Sequence, residues 1–211
     1  MKKSTIEQRI WFSPKASPEL KSLQPVFIKL KSVHLDYITA AKDNLYGYNE
    51  RPHVGLLAAA VWLCGGKALE EFGTSKRNCK NKQGRCDLWI RYNKAEFECE
   101  AKRFWLNLKK KTEGLRRKLD KKLTSTVKEV KRLENGKGLA LCFAIPGIQS
   151  ESKQCDSLEG LIGKLIESVK NPVKKNYLCD ALIWIGFKAN NKPMGESHLL
   201  PGLLLAIQEV T

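Results

Sequence analysis

Residues 85–92 (RCDLWIRY) and 95–103 (AEFECEAKR) alternate polar and apolar side chains so regularly that they admit one local structure, a pair of β-strands joined by a tight turn. A two-residue turn at Asn93-Lys94, where Asn suits the left-handed backbone such turns need, puts Asp87 opposite Glu100, Trp89 opposite Glu98 and Arg91 opposite Glu96. One face then carries Arg85, Asp87, Trp89, Arg91, Glu96, Glu98, Glu100 and Lys102. The other carries Cys86, Leu88, Ile90, Tyr92, Ala95, Phe97, Cys99 and Ala101. A slip of one residue would set apolar against polar along the whole ladder, so the pattern constrains the register as well as the strands.

The rest of the chain supplies what such a hairpin needs to pack against. Residues 1–22 are polar with two Ser-Pro steps and read as an irregular arm. From residue 25 to about 45, Val26, Leu30, Val33, Tyr37 and Ala41 recur at spacings of three and four, which predicts a helix. Pro52 suits the first turn of a second helix over residues 53–64, apolar nearly all round and therefore buried. A short strand is expected at 68–72 and a hydrophilic loop at 73–84, ahead of the hairpin. After the hairpin come a basic helix over 112–134, an apolar strand over 138–145 closed by Pro146-Gly147, and an amphipathic helix over 157–170. Final strands are expected at 177–187 and 199–210, the latter beginning near or beyond Pro201. This order predicts an α/β fold, a mixed central sheet flanked by helices, formed by residues 23–211 as one domain.

Asp87 opposite Glu100 is a costly arrangement, because the Cβ atoms of facing residues stand about 5 Å apart and two carboxylates there repel. A cation between them removes the conflict. One or two carboxylates, with water and phosphate oxygens completing the shell, are the usual ligands of Mg2+. Lys102 lies two residues along the same face, where its ammonium can steady an attacking hydroxide or the charge developing on a phosphate. The plainer reading is a solvated face of mixed charges.

Charge favours the first reading. The chain has 38 Lys and Arg against 22 Asp and Glu, a formal net charge of +16, and a field of that sign concentrates polyanions, nucleic acid first among them. Between Lys102 and Arg132 there are 13 basic residues and three acidic ones, Glu113, Asp120 and Glu129. On the helix in that stretch, Leu115, Leu119, Leu123, Val127, Val130 and Leu133 form the buried stripe, leaving Arg116, Arg117, Lys118, Lys121, Lys122 and Lys128 on more exposed faces. Arg103, Lys109, Lys110, Arg116, Arg117 and Lys121 are the candidate nucleic-acid contacts. Phe104 and Trp105, interleaved with these charges, read first as core and second as base-stacking groups.

Seven cysteines without tight pairing, four of them (Cys86, Cys99, Cys142, Cys179) inside apolar runs, read as reduced buried thiols. The first eleven residues hold no apolar core of signal-peptide length, and residues 54–64, the longest apolar stretch, are too short to span a bilayer. A cytoplasmic protein with no membrane partner is the expectation. Zinc is not supported, since Cys79 and Cys86 lack ligand spacing.

Taken together, "GRCDLWI", "ECEAKR" and "YNERPHVGLLAAAVWL" resemble the restriction-endonuclease-like superfamily, PD-(D/E)XK. Its signature is an Asp opening one strand and Glu-x-Lys on the next, frequently with a Glu on an upstream helix. The resemblance implies a restriction-endonuclease-like core and a phosphodiesterase dependent on Mg2+, with Mn2+ as a substitute. Asp87 and Glu100 would be metal ligands, Lys102 would position or activate the attacking water, and Glu50 would be an auxiliary ligand. Cys86 stands where the family name has Pro, and Glu70, Glu71 or Glu98 could take the role of Glu50. DNA is the expected substrate ahead of RNA, and homodimers that cut both strands are common on this fold. The alternative is a non-catalytic nucleic-acid-binding protein of the same fold.

Overall fold

The computed structural model describes residues 6–41, 45–76, 83–108, 110–133, 138–149, 158–170, 177–187, 198–199 and 202–211. Its elements in chain order are β1 (Ile6–Phe12), α1 (Pro18–Ser22), α2 (Gln24–Ala41), a 3-10 turn (Leu45–Gly47), α3 (Arg51–Leu63), β2 (Lys67–Ser75), β3 (Gln83–Tyr92), β4 (Ala95–Asn107), α4 (Thr112–Val130), β5 (Gly138–Gln149), α5 (Leu158–Lys170), β6 (Ala181–Phe187), β7 (His198–Leu199) and β8 (Gly202–Val210). One mixed sheet runs β1-β6-β8-β5-β4-β3-β2, with β7 attached to β5 off that path. Among the described residues only β4 and β5 pair in parallel, as expected of two strands joined by the α4 crossover.

The sheet has a core on each face. On one, Val26, Phe27 and Leu30 of α2 and Val54, Leu57 and Val61 of α3 pack on Leu88, Ile90, Phe97, Leu141 and Phe143. On the other, Leu115, Leu119 and Leu123 of α4 and Leu165, Ile166 and Val169 of α5 pack on Phe104, Leu106, Cys142 and Ala206. Strands β5, β6 and β8 are buried on both sides, which explains why their sequences are continuously apolar rather than alternating. The predicted α/β class and its mixed sheet flanked by helices are therefore present.

Three local expectations are corrected. The arm expected over 1–22 is not irregular from residue 6 on, residues 1–5 lying outside the described residues: Ile6–Phe12 is an edge strand paired antiparallel with β6, and α1 opens at Ser17, whose hydroxyl accepts the Leu20 N–H. Alternation within β1 is weak, so its partner strand decides its conformation. The loop expected over 73–84 is strand at both ends, with Thr74 facing Gly84 and Ser75 facing Gln83; residues 77–82 lie outside the described residues. Finally, β5 continues through Pro146. Its ladder with β8 stops at Ala144, so the missing proline N–H falls beyond that ladder.

Gly138 sets how closely α4 approaches the sheet. An added Cβ there would stand 2.1 Å from Val130 Cγ1 and 3.3 Å from the Glu98 carbonyl oxygen, and β-branched Val130 has little freedom to turn away. Gly138→Ala is expected to cost about 1–3 kcal/mol, read as a lower urea midpoint. Combined with Val130→Ala, the loss should be smaller than the sum of the two singles, because the clash is then gone.

Candidate active site

The site grows out of the β3–β4 hairpin. Asn93 takes the left-handed conformation (φ 53°), and the ladder runs in the expected register from Tyr92–Ala95 through Arg91–Glu96 and Trp89–Glu98 to Leu88–Cys99. There it lapses, one step short of Asp87 and Glu100. The β2–β3 ladder lapses at the same height: Glu70 faces Leu88 and Phe72 faces Cys86, while Glu71, opposite Asp87, has φ 48° and no ladder partner. Asp87 is thus released from both neighbouring ladders. One of its carboxylate oxygens instead accepts the Ala101 N–H at 2.7 Å.

The lapse corrects one placement. Alternation puts Cys86 on the same face as Leu88 and Ile90, but it packs in the opposite core with Phe104, and its thiol donates toward the Leu88 and Cys99 carbonyls. Strict alternation fails where the pleat is interrupted. Burial pushes the Cys86 thiol up to about 12 and Cys142 to about 11, and raises Cys99 and Cys179 as well. All four are buried free thiols, protonated and poor nucleophiles at neutral pH.

The acidic face of β4 is not a solvated one. Glu98 is 6% exposed and Glu100 3%, because α4 covers this side of the strand. Lys76, just past β2, places its ammonium 2.7 Å from Glu100 Oε1. Burial holds the Glu100 carboxyl above the ordinary range, with the charges of Asp87 and Glu129 adding to the effect and the Lys76 bond opposing it. Lys102 binds Glu129 of α4 at 2.8 Å. Burial works against its charge, but Glu129, reinforced by Asp87 and Glu100, carries its pKa above the usual lysine value. Asp87, Glu100 and Lys102 therefore act on one another, in a cluster of three carboxylates and two ammonium groups completed by Lys76 and Glu129.

Neither Lys76 nor Glu129 stands out in the sequence. Glu129 is visible there only as one of three acids on a basic helix, and Lys76 only as one cation of a polar stretch. The usable signal for Lys76 is Gly84, a residue without a side chain on the strand that separates it from Glu100.

The auxiliary carboxylates sit in different settings, although the charges of Glu70 and Glu71 act on each other. Glu50 is the N-terminal cap residue of α3, and its charge acts on Arg103. Glu70 lies against α3 at Gly55. Glu71 pairs with Arg51 at 2.7 Å and with Arg85, which ties the N-terminus of α3 to the position opposite Asp87. Glu98 lies on the same face as Glu100, within the buried part of β4.

Of the candidate nucleic-acid contacts, Lys110, Arg117 and Lys121 are exposed, Arg103 and Arg116 are half-buried, and Lys109 lies outside the described residues. Arg103 stacks on Trp105 at 4.2 Å; Trp105 is exposed whereas Phe104 is core, as opposite faces of one strand require. Burial, then the charges of Lys110 and Lys122, depress the Lys118 pKa, so the charges of Lys118 and Lys122 on α4 and of Lys110 just ahead of it act on one another. Arg116 and Arg117, the latter paired with Glu113 at 3.5 Å, line an open groove of about 510 Å3 with Asp120, Tyr177 and Gln208.

Among the described residues no helix is long and apolar enough to cross a membrane. The chain matches no known protein family, no curated protein and no solved structure.

Proposed function

We propose that this protein is a metal-dependent phosphodiesterase acting on DNA, on a restriction-endonuclease-like core, with Asp87 and Glu100 holding Mg2+ or Mn2+ and Lys102 beside them. The observation that carries the reading is the pairing of Asp87, freed from both ladders, with a nearly inaccessible Glu100, both within the field of Lys102.

The donor set suits the metal. Mg2+ takes hard oxygen ligands and keeps several waters, so two carboxylates suffice. A cation already stands on Glu100 in the form of Lys76, in keeping with a local field that attracts one. Bound Mg2+ supplies a Lewis acid for a phosphoryl oxygen and a water of lowered pKa. The Ala101 N–H fixes one oxygen of Asp87 and burial holds Glu100 in one place, so the two carboxylates would be in position to hold the ion. The Lys102 ammonium, steered by Glu129, orients water or meets charge developing on phosphate. Lys110, Lys118 and Lys122 hold the phosphate backbone, and Glu98, which shares the face of Glu100, is the auxiliary carboxylate in place of Glu50, whose helix packs on the opposite face of the sheet.

The test is nicking and linearisation of supercoiled plasmid in Mg2+, in Mn2+ and in EDTA. Cutting that depends on the cation is the expected result, and an intact plasmid in every cation sinks the general nuclease. A second reading, DNA binding without cleavage, is favoured by one feature: Lys76 and Glu129 already neutralise Glu100 and Lys102 within the protein. Both readings share an expected outcome. Changing Lys110, Lys118 and Lys122 to Gln should flatten the plot of log affinity against log salt by about 0.9 for each phosphate no longer neutralised, measured by fluorescence anisotropy.

A further inference from the structure

Lys76 belongs to the edge of the sheet, yet its charge ends in the middle. The residue follows β2, and its backbone makes an isolated antiparallel bridge with Leu133, after α4. Strand β3 lies between β2 and β4, so its side chain must cross β3 to reach Glu100. It crosses at Gly84, where an added Cβ would stand 2.5 Å from its Cδ, 2.6 Å from its Cγ and 2.9 Å from its Cε. A residue without a side chain thus opens the lane. The Lys76 side chain is 18% exposed and that of Glu100 4%, so the pair is sheltered rather than a loose surface contact.

We propose that Lys76 is a built-in competitor of the divalent cation, occupying Glu100 in the metal-free protein and withdrawing when metal enters between Asp87 and Glu100. The inference rests on the phosphodiesterase reading and adds to it the residue that governs metal loading. A metal ion bound to a carboxylate oxygen at about 2.1 Å and an ammonium on the same oxygen would stand only roughly 3–4 Å apart, shielded from water. The two cations cannot share that oxygen, and a four-carbon lysine stem can move aside where a strand cannot. Until then the ammonium offsets the repulsion between the two carboxylates and keeps the site assembled.

The experiment is calorimetric titration of Mn2+ into the full chain, without DNA, for wild type, Lys76→Met, Gly84→Ala and Asp87→Ala. Methionine keeps much of the stem and removes the charge, whereas alanine at position 84 keeps the charge and closes the lane. Lys76→Met is expected to bind Mn2+ about tenfold more tightly, the scale on which removing one close charge moves a neighbouring equilibrium. Gly84→Ala should shift the same way, and adding Asp87→Ala should abolish the binding in each background. If wild type binds Mn2+ through Asp87 and the variants bind no more tightly, the role of Lys76 is overturned and the metal site stands. Gly84→Ala alone decides the point should Lys76→Met fail to fold. Absence of Asp87-dependent binding in wild type and both variants overturns the metal site, and the competitor with it. Binding seen only in the variants supports the competitor.

Discussion

Lys102→Met protein is expected to cut supercoiled plasmid at least about a hundredfold more slowly than wild type, with nearly unchanged DNA affinity in EDTA. Methionine preserves most of the packed stem and removes only the ammonium. That ammonium is held by Glu129 at 2.8 Å and lies within the fields of Asp87 and Glu100, so its loss is felt at the reacting phosphate. Lys110, Lys118 and Lys122 are untouched, and one fewer cation among many changes the salt slope by at most about one. Single-turnover cleavage and anisotropy on the same duplex separate the two effects. Equal cleavage by wild type and variant removes Lys102 from the reaction. A parallel fall in affinity and cleavage makes it a phosphate contact instead. Glu100→Gln, nearly isosteric, should lose cleavage as fully, and there the loss should coincide with the loss of Mn2+ binding.

The second large effect concerns stability. His34 of α2 and His53 of α3 stack in the core with ring centroids 6.2 Å apart, and His53 lies 5.3 Å from the ring of Phe143 on β5. Burial lowers His34 from 6.5 to about 4. Burial, with the charges of His34 and Arg103 adding, lowers His53 from 6.5 to about 3. Both are neutral in the fold and take a proton only well below the pH at which the unfolded chain does. Their contribution is whole above pH 6.5 and is lost as pH falls, at about 1.4 kcal/mol per unit for each ring, until its folded value is passed. At pH 5 the pair should have cost roughly 4 kcal/mol, a large part of the margin of an ordinary domain. Urea midpoints at pH 7.5, 6 and 5 measure this. His34→Leu should flatten the acid limb by about half, and a wild-type midpoint independent of pH over this range would show that the rings are not held neutral.

Much of the architecture was legible because it rests on local pattern. Helical spacing marked α2 and α4, Asn93 marked the turn, and alternation set the β3–β4 register from Tyr92–Ala95 to Leu88–Cys99. Those signals are short-range: a pleat alternates and a helix repeats whatever lies across from it. The candidate residues Asp87, Glu100 and Lys102 could be named for the same reason, since a register once known says which side chains share a face.

The rest was decided by groups distant in sequence. β1 is a strand because β6 accepts it, although its own residues alternate poorly. The break at Asp87 needs Glu71 on one neighbouring strand and Glu100 on the other, and no hairpin rule contains both. A solvated face for Glu98 and Glu100 was one of two readings their pattern allowed, and they are buried because α4 closes over them. Lys76 reaches Glu100 across 24 positions of sequence and a whole strand, through a gap that Gly84 leaves open. Local pattern therefore determined which side chains share a face as far as the ladder holds, from Tyr92–Ala95 to Leu88–Cys99, because a pleat and a helix are periodic on their own. Only the tertiary structure decided how much water that face sees and which charges answer one another, because burial and ion pairing depend on what the chain brings back from far away.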